Sequence, residues 1–300
     1  MKTIKTLFTI VMLVGAMVTY GQGFTFKVLA NKGANQIKSG DTWEQLKTGA
    51  SLQGTDEIKV GENAYLGLMH ADGKTLEWRE AGTFKVSDLA SKVASGSSVG
   101  SKYADFLASK MTAEAKKNRL SATGAVHRGG GEYDINVYAT NSVQIFNNAA
   151  VIRWDALEGD GITYKVKLTN MFEDVLLSQE TSETTFKLDM NDPKIKQSPI
   201  VLLSVTTADD EDIKSETIAI KKLPQDDMQK VNSGLNELMS DIEDQTALNK
   251  YILAGFYEEN NLLIDALTSY EQAIDMAPEV ETFKEAYEEF LLRNGFKSTN

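Results

Sequence analysis

The chain of 300 residues has no cysteine and only two histidines, His70 and His127. The missing cysteines exclude disulfides, thiolate metal sites and thiol nucleophiles together. The two histidines fall in different segments, with no His-x-x-x-His spacing and no serine-bearing elbow. Neither a histidine metal site nor a catalytic triad is supported. Basic residues are also outnumbered: 31 Lys and Arg stand against 43 Asp and Glu, a formal net charge of −12. Phosphate binding draws on clustered Lys and Arg, so no nucleic acid is expected as a partner.

Long hydrophobic runs are scarce as well. The run from Leu7 to Val18, broken only by Thr9 and Gly15, follows Lys2 and Lys5 and leads into Gly21-Gln22-Gly23. A membrane span needs roughly 20 apolar residues, so residues 1–22 are read as a cleavable signal peptide. No cysteine follows the run, so lipid attachment is chemically excluded. The expected location is periplasmic or secreted, with no transmembrane span after signal removal.

What is present is unevenly distributed. Residues 23–100 carry nine acids and nine bases, whereas 225–300 carry sixteen acids and five bases. The shift coincides with Leu223-Pro224 and marks a domain boundary. The expected organisation is a signal peptide (1–22), a first β-domain (23–100), an amphipathic helix and Gly-rich connector (101–131), a β-sandwich (132–223) and a helical domain (224–300).

In the first β-domain, Phe24, Phe26 and Val28 alternate with polar neighbours, and turn residues separate the strand-length pieces. The succession Gly40-Asp41-Thr42-Trp43, Thr48-Gly49-Ala50-Ser51-Leu52, Asp56 to Val60, Tyr65 to Met69, Asp72-Gly73 and Thr75 to Val86 resembles the FecR-like domain of bacterial envelope proteins. An unrelated small β-barrel fits the same spacing. FecR proteins proper relay a receptor signal through a transmembrane helix to a sigma regulator, and that role is not carried over.

Between Lys102 and Lys117 the residues Tyr103, Phe106, Leu107, Lys110, Met111 and Ala115 sit near helical spacing, an apolar face expected to pack on the preceding β-domain. His127-Arg128 and the three glycines after it read as a plain turn, because Glu132 to Tyr138 is strand-like and offers no helix end to a phosphate.

From Tyr138 to Lys222 short strands recur at intervals of about 8–14 residues, which suggests a sandwich. Trp154, followed by Tyr164-Lys165-Val166-Lys167-Leu168, is similar to the fibronectin type III pattern, in which the tryptophan is buried. The aromatic of the late core strand is replaced by Val201-Leu202-Leu203-Ser204-Val205, which weakens the family name more than the sandwich. The acids Asp209-Asp210-Glu211-Asp212 lack the spaced oxygens and glycine of a calcium loop and read as a solvated hairpin turn.

After Pro224 the pattern becomes helical, at about 228–242, 246–258, 262–276 and 280–293. Leu253, Ala254, Tyr257, Ala266, Tyr270, Ala273 and Pro278 match the spacing of one tetratricopeptide repeat, which the stretch Ala247 to Val280 resembles. That resemblance places the partner groove on the first helix, at Leu248, Tyr251, Gly255, Glu258 and Glu259. The clamp by which some relatives hold a peptide carboxylate is not matched. An apolar and acidic groove suits a basic or amphipathic segment.

The fold class read from the sequence is multi-domain: two small all-β domains, FecR-like and fibronectin III-like, followed by an all-α tetratricopeptide-like domain. The function read from it is a non-catalytic scaffold or adaptor for other exported or outer-membrane-associated proteins. No catalytic residue, cofactor or metal ligand is assigned. A cell-wall or glycan binder using Trp43 and Trp78 is the alternative, and a hydrolase with a carboxylate pair hidden among the acids a third.

Overall fold

The computed structural model describes residues 24–93, 99–110, 133–241 and 245–297. The expected signal peptide, His127 and the Gly-rich stretch lie outside the described residues. β-sheets occupy the first part of the chain and helices the last, as the sequence implies.

The first β-module contains β1 (Phe26–Lys32), β2 (Gln36–Ser39), β3 (Thr42–Gln45), β4 (Ser51–Leu52), β5 (Glu57–Val60), β6 (Tyr65–His70), β7 (Thr75–Trp78) and β8 (Gly82–Lys85), followed by the short helix α1 (Val86–Ala90). They form two antiparallel four-stranded sheets, ordered β4-β1-β6-β7 and β3-β2-β5-β8. Gly40 at φ 60° turns β2 into β3 and Gly73 at φ 93° turns β6 into β7, both in the left-handed region that glycine reaches at little cost. Phe26, Val28, Leu52, Ile58, Leu66, Leu68 and Val86 fill the space between the sheets.

Strand β6 is buried almost throughout, on both faces. Leu66 and Leu68 point into the module's own core, whereas Tyr65 and Met69 belong to a second core shared with the helices. β1 is likewise two-faced, and a register shift between Val28 and Ala30 lets Leu29 join that second core.

The second β-module contains β9 (Ser142–Ile145), β10 (Ala149–Arg153), β11 (Tyr164–Thr169), β12 (Val175–Thr181), β13 (Thr185–Asp189), β14 (Ile200–Thr207) and β15 (Ile218–Lys222). A five-stranded sheet, β12-β11-β14-β15-β9, faces the two-stranded β10-β13. β9 runs parallel to β15 and the remaining ladders are antiparallel. β14 alternates strictly between buried and half-buried residues, the mark of a strand with one face on a core. Trp154 is 1% exposed and meets Tyr164 edge-on at 5.5 Å.

The helices are α2 (Val99–Lys110), α3 (Gln225–Asp241), α4 (Ala247–Glu259), α5 (Leu263–Met276) and α6 (Glu281–Arg293). Thr246 caps α4 by accepting a hydrogen bond from the Asn249 amide at 3.2 Å. The α4–α5 pair is held by a chain of rings: Tyr251 lies 6.0 Å from Tyr270 and 5.3 Å from Phe283, and Tyr270 lies 5.0 Å from Phe290. Arg293 forms a two-point ion pair with Glu258, and the Tyr270 hydroxyl also donates to Glu258 at 3.1 Å. Burial opposes the Arg293 charge, but the Glu258 carboxylate outweighs it, so the guanidinium holds its proton more firmly than usual. None of the described helices is long and apolar enough to cross a membrane.

Helix α2 packs against α4 as well as against β1 and β6. Tyr103 meets Phe256 edge-on at 5.1 Å, and Leu107 covers Gly255 so closely that a Cβ there would lie 2.8 Å from the Leu107 Cγ. Gly255→Val is therefore expected to destabilise the protein by about 1–3 kcal/mol through overpacking. The additional change Leu107→Ala should return part of that loss, as measured by urea unfolding. Equal midpoints for the wild type and Gly255→Val would contradict the packing.

Candidate partner-binding surface

The residues expected to line a groove on α4 are engaged within the chain. Leu248 is fully buried over Gly67 of β6, and its backbone N–H donates to the Glu77 carboxylate of β7 at 2.8 Å. Tyr251 is 1% exposed within the ring cluster. Gly255 is covered by Leu107, Glu258 is paired with Arg293, and Glu259 meets the Lys102 ammonium of α2 at 3.0 Å. The face that tetratricopeptide spacing assigns to a partner thus holds β6, α2 and α6 of the same chain. The physical reason is shortness: one helical hairpin cannot bury its own faces, and the nearest apolar surfaces are those of its neighbours.

α5 makes the matching joint to the second β-module with polar side chains. Asp265 accepts the backbone N–H groups of Phe146 and Asn147 at 2.9 and 2.8 Å. Thr268 Oγ1 accepts the Val151 N–H of β10 at 2.9 Å. Glu271 takes the Arg153 guanidinium, and the Tyr287 hydroxyl donates to it at 2.9 Å. Ile264 beside them enters the sandwich core itself. Asp265, Thr268 and Glu271 are spaced three apart on one side of the helix, a pattern that reads in sequence as a solvated face. Their engagement was not legible there, because the groups they satisfy lie more than a hundred residues away.

Burial pushes the Asp265 carboxyl up from 3.8 to about 6, against the opposing pull of the two backbone N–H donors.

The remaining chemistry-bearing residues are scattered. His70 Nδ1 accepts from the Asp72 amide at 3.2 Å in the β6–β7 turn, and its ring meets Phe26 edge-on at 5.2 Å. Asp209, Asp210, Glu211 and Asp212 are exposed in the β14–β15 connection, where Glu211 pairs with Lys165 at 2.7 Å. No group of three or more potential metal-ligating acids or histidines occurs among the described residues. Trp78 packs edge-on against Phe84 at 5.1 Å beneath the Lys92 ammonium, and Trp43 is half-buried under Lys38. A shallow hollow of about 250 Å³ lies between β9 and the α4–α5 turn, lined mainly by polar groups including Thr140, Gln144 and Lys221.

Among the described residues, the large apolar side chains left in solvent are Tyr133, Met171, Phe172, Val175 and Met276, of which Phe172 is the most exposed at 81%. Set beside known proteins, the chain matches no protein-family model and no curated sequence.

The Asp265 joint has a defined pH signature. A carboxyl raised in the folded state takes up a proton on folding between its two values, so its contribution to stability falls as pH rises from about 4 to about 6. The stability of the wild type minus that of Asp265→Asn is expected to be larger at pH 4 than at pH 7, by on the order of 2–3 kcal/mol. Urea titrations of both proteins at the two pH values measure it. A difference that is flat or of opposite sign would contradict the assignment.

Proposed function

We propose that the protein is a non-catalytic adaptor of the bacterial envelope, periplasmic or secreted, that binds other exported proteins through the outer surfaces of its β-modules. The observation that carries this reading is the double joint of the helical hairpin. α4 is fastened to the first module through Leu248 and Glu77, and α5 to the second through Asp265 and Thr268. Such a brace holds two binding modules at a set separation and angle, which suits a scaffold. The FecR-like, fibronectin III-like and tetratricopeptide-like resemblances support the same reading, since modules of these kinds serve as spacers and protein-binding surfaces. On this reading the tetratricopeptide-like stretch works inward, as the brace, and partners meet the modules elsewhere. The glycan alternative draws less support, because Trp78 is packed and Trp43 is half-covered.

Two measurements test the proposal with the intact chain. Affinity capture from envelope extracts under mild crosslinking is expected to retain a small, reproducible set of exported proteins, and purified cell wall is expected to retain none of the adaptor. Binding to cell wall with no protein captured would replace the reading with the glycan one. Fractionation is expected to find the chain outside the cytoplasm with residues 1–22 removed, and an intact amino terminus on a cytoplasmic pool would overturn the location.

A further inference from the structure

Three of the five exposed large apolar residues among those described lie together at the β11–β12 hairpin: Met171, Phe172 and Val175 are 53%, 81% and 56% exposed. The tip carrying them is tightly built. The Asn170 amide donates to the Asp174 carbonyl and the Glu173 amide to the Asn170 carbonyl, both at 3.1 Å. Asn170 Oδ1 accepts from the Phe172 and Asp174 amides at 2.9 and 3.0 Å, and Asn170 Nδ2 donates to the Asp174 carboxylate at 2.9 Å. Glu173 completes the turn at φ 66°. Such a turn presents its backbone already ordered, so little main-chain conformational entropy is left to lose on binding.

The surrounding sheet explains why the tip stays open. The facing layer has only two strands, so β12 overhangs it, and the burial of β12 shows no alternation. β12 is also the edge of its sheet, with no strand on its outer side among the described residues, whereas the opposite edge, β9, is closed by α5. An apolar cluster beside an open edge is the kind of surface that soluble proteins keep for partners.

Charge narrows the occupant. Residues 170–186 contain Glu173, Asp174, Glu180 and Glu183 and no Lys, Arg or His. Interfacial membrane binding draws on basic residues around the apolar ones; the turn itself has none, and on the paired strand Lys165 is held by Glu211 while Lys167 is outnumbered by the four acids. A second copy would bring the same acids face to face, in a chain whose net charge is −12. We propose that the tip docks into another envelope protein, which receives Phe172 in an apolar pocket rimmed by Lys or Arg. The proposal rests on the adaptor reading and names its surface.

The test places the photoreactive residue p-benzoylphenylalanine at position 172 of the full chain in the cells that produce it, with position 276 as the exposed control. Illumination is expected to give one protein adduct from position 172 and not from 276. Its crosslinked site should lie in an apolar pocket with Lys or Arg at the rim, and the adduct should be lost in Glu173→Lys. Phe172→Ser, at so exposed a position, should leave thermal unfolding unchanged while weakening binding of the identified partner by about 30-fold, the loss of one anchoring aromatic. An adduct to lipid or to a second copy, a pocket rimmed by acids, or no adduct overturns the proposal. Partners retained equally by the intact chain and by Phe172→Ser overturn this surface and leave the adaptor reading standing. An intact chain that retains no partner overturns both.

Discussion

Two strand edges and two helix faces need covering in this protein, and the α4–α5 hairpin covers them together. A backbone N–H at the rim of a sheet must find an acceptor once it is shielded from water, and an unmet one costs about 1–3 kcal/mol. Asp265 and Thr268 accept three such groups from the β9–β10 region, and Glu77 of β7 accepts one from the start of α4. These contacts fix where the helices sit, and the apolar surfaces then close around them. Tyr65 and Met69 of the first module join the helical core, and Ile264 of α5 joins that of the sandwich.

This interlocking changes what a repeat-like hairpin can do. An array of several repeats leaves the concave face of its first helices open, because each repeat is covered by the next. Here a single hairpin has α6 on one side, α2 across Gly255 and β6 beneath Leu248. The same apolar face cannot serve as both core and docking groove, and burial of each large side chain is worth about 1.5–3 kcal/mol. The core therefore claims it, and partner binding moves outward.

The outward surface is asymmetric in the same physical respect. The edges nearest the hairpin are closed by hydrogen bonds to helical side chains, while β12, farthest across its sheet from β9, pairs with β11 on one side and has no strand on the other among the described residues, with only a two-stranded layer facing the sheet. The tip that continues from it combines order with exposure, since Asn170 holds the turn and leaves Phe172 in water. A rigid brace at one edge and an apolar tip at the other is an arrangement suited to presenting a contact at a set distance.

Much of this was legible along the chain, and for local reasons. Period-two alternation marks β14, glycine turns mark the hairpins of the first module, Trp154 belongs to the sandwich core, and the small and aromatic residues from Leu253 to Pro278 mark a helical hairpin. Tyr65-Leu66-Gly67-Leu68-Met69 also held a signal: an unbroken apolar run in a strand announces two covered faces. The tertiary structure alone decided which faces those elements spend on one another. Leu248, Tyr251, Glu258 and Glu259 were legible as one helix face, but whether that face met a partner or its own chain depended on residues such as Leu107, Lys102 and Arg293 brought from elsewhere. Asp265 is the sharpest case. Its helical spacing is that of a solvated acid, and only the approach of the Phe146 and Asn147 amides, distant in sequence, makes it a buried joint. Periodicity records which side of an element a residue is on, whereas what lies against that side is set by contacts far apart in the chain.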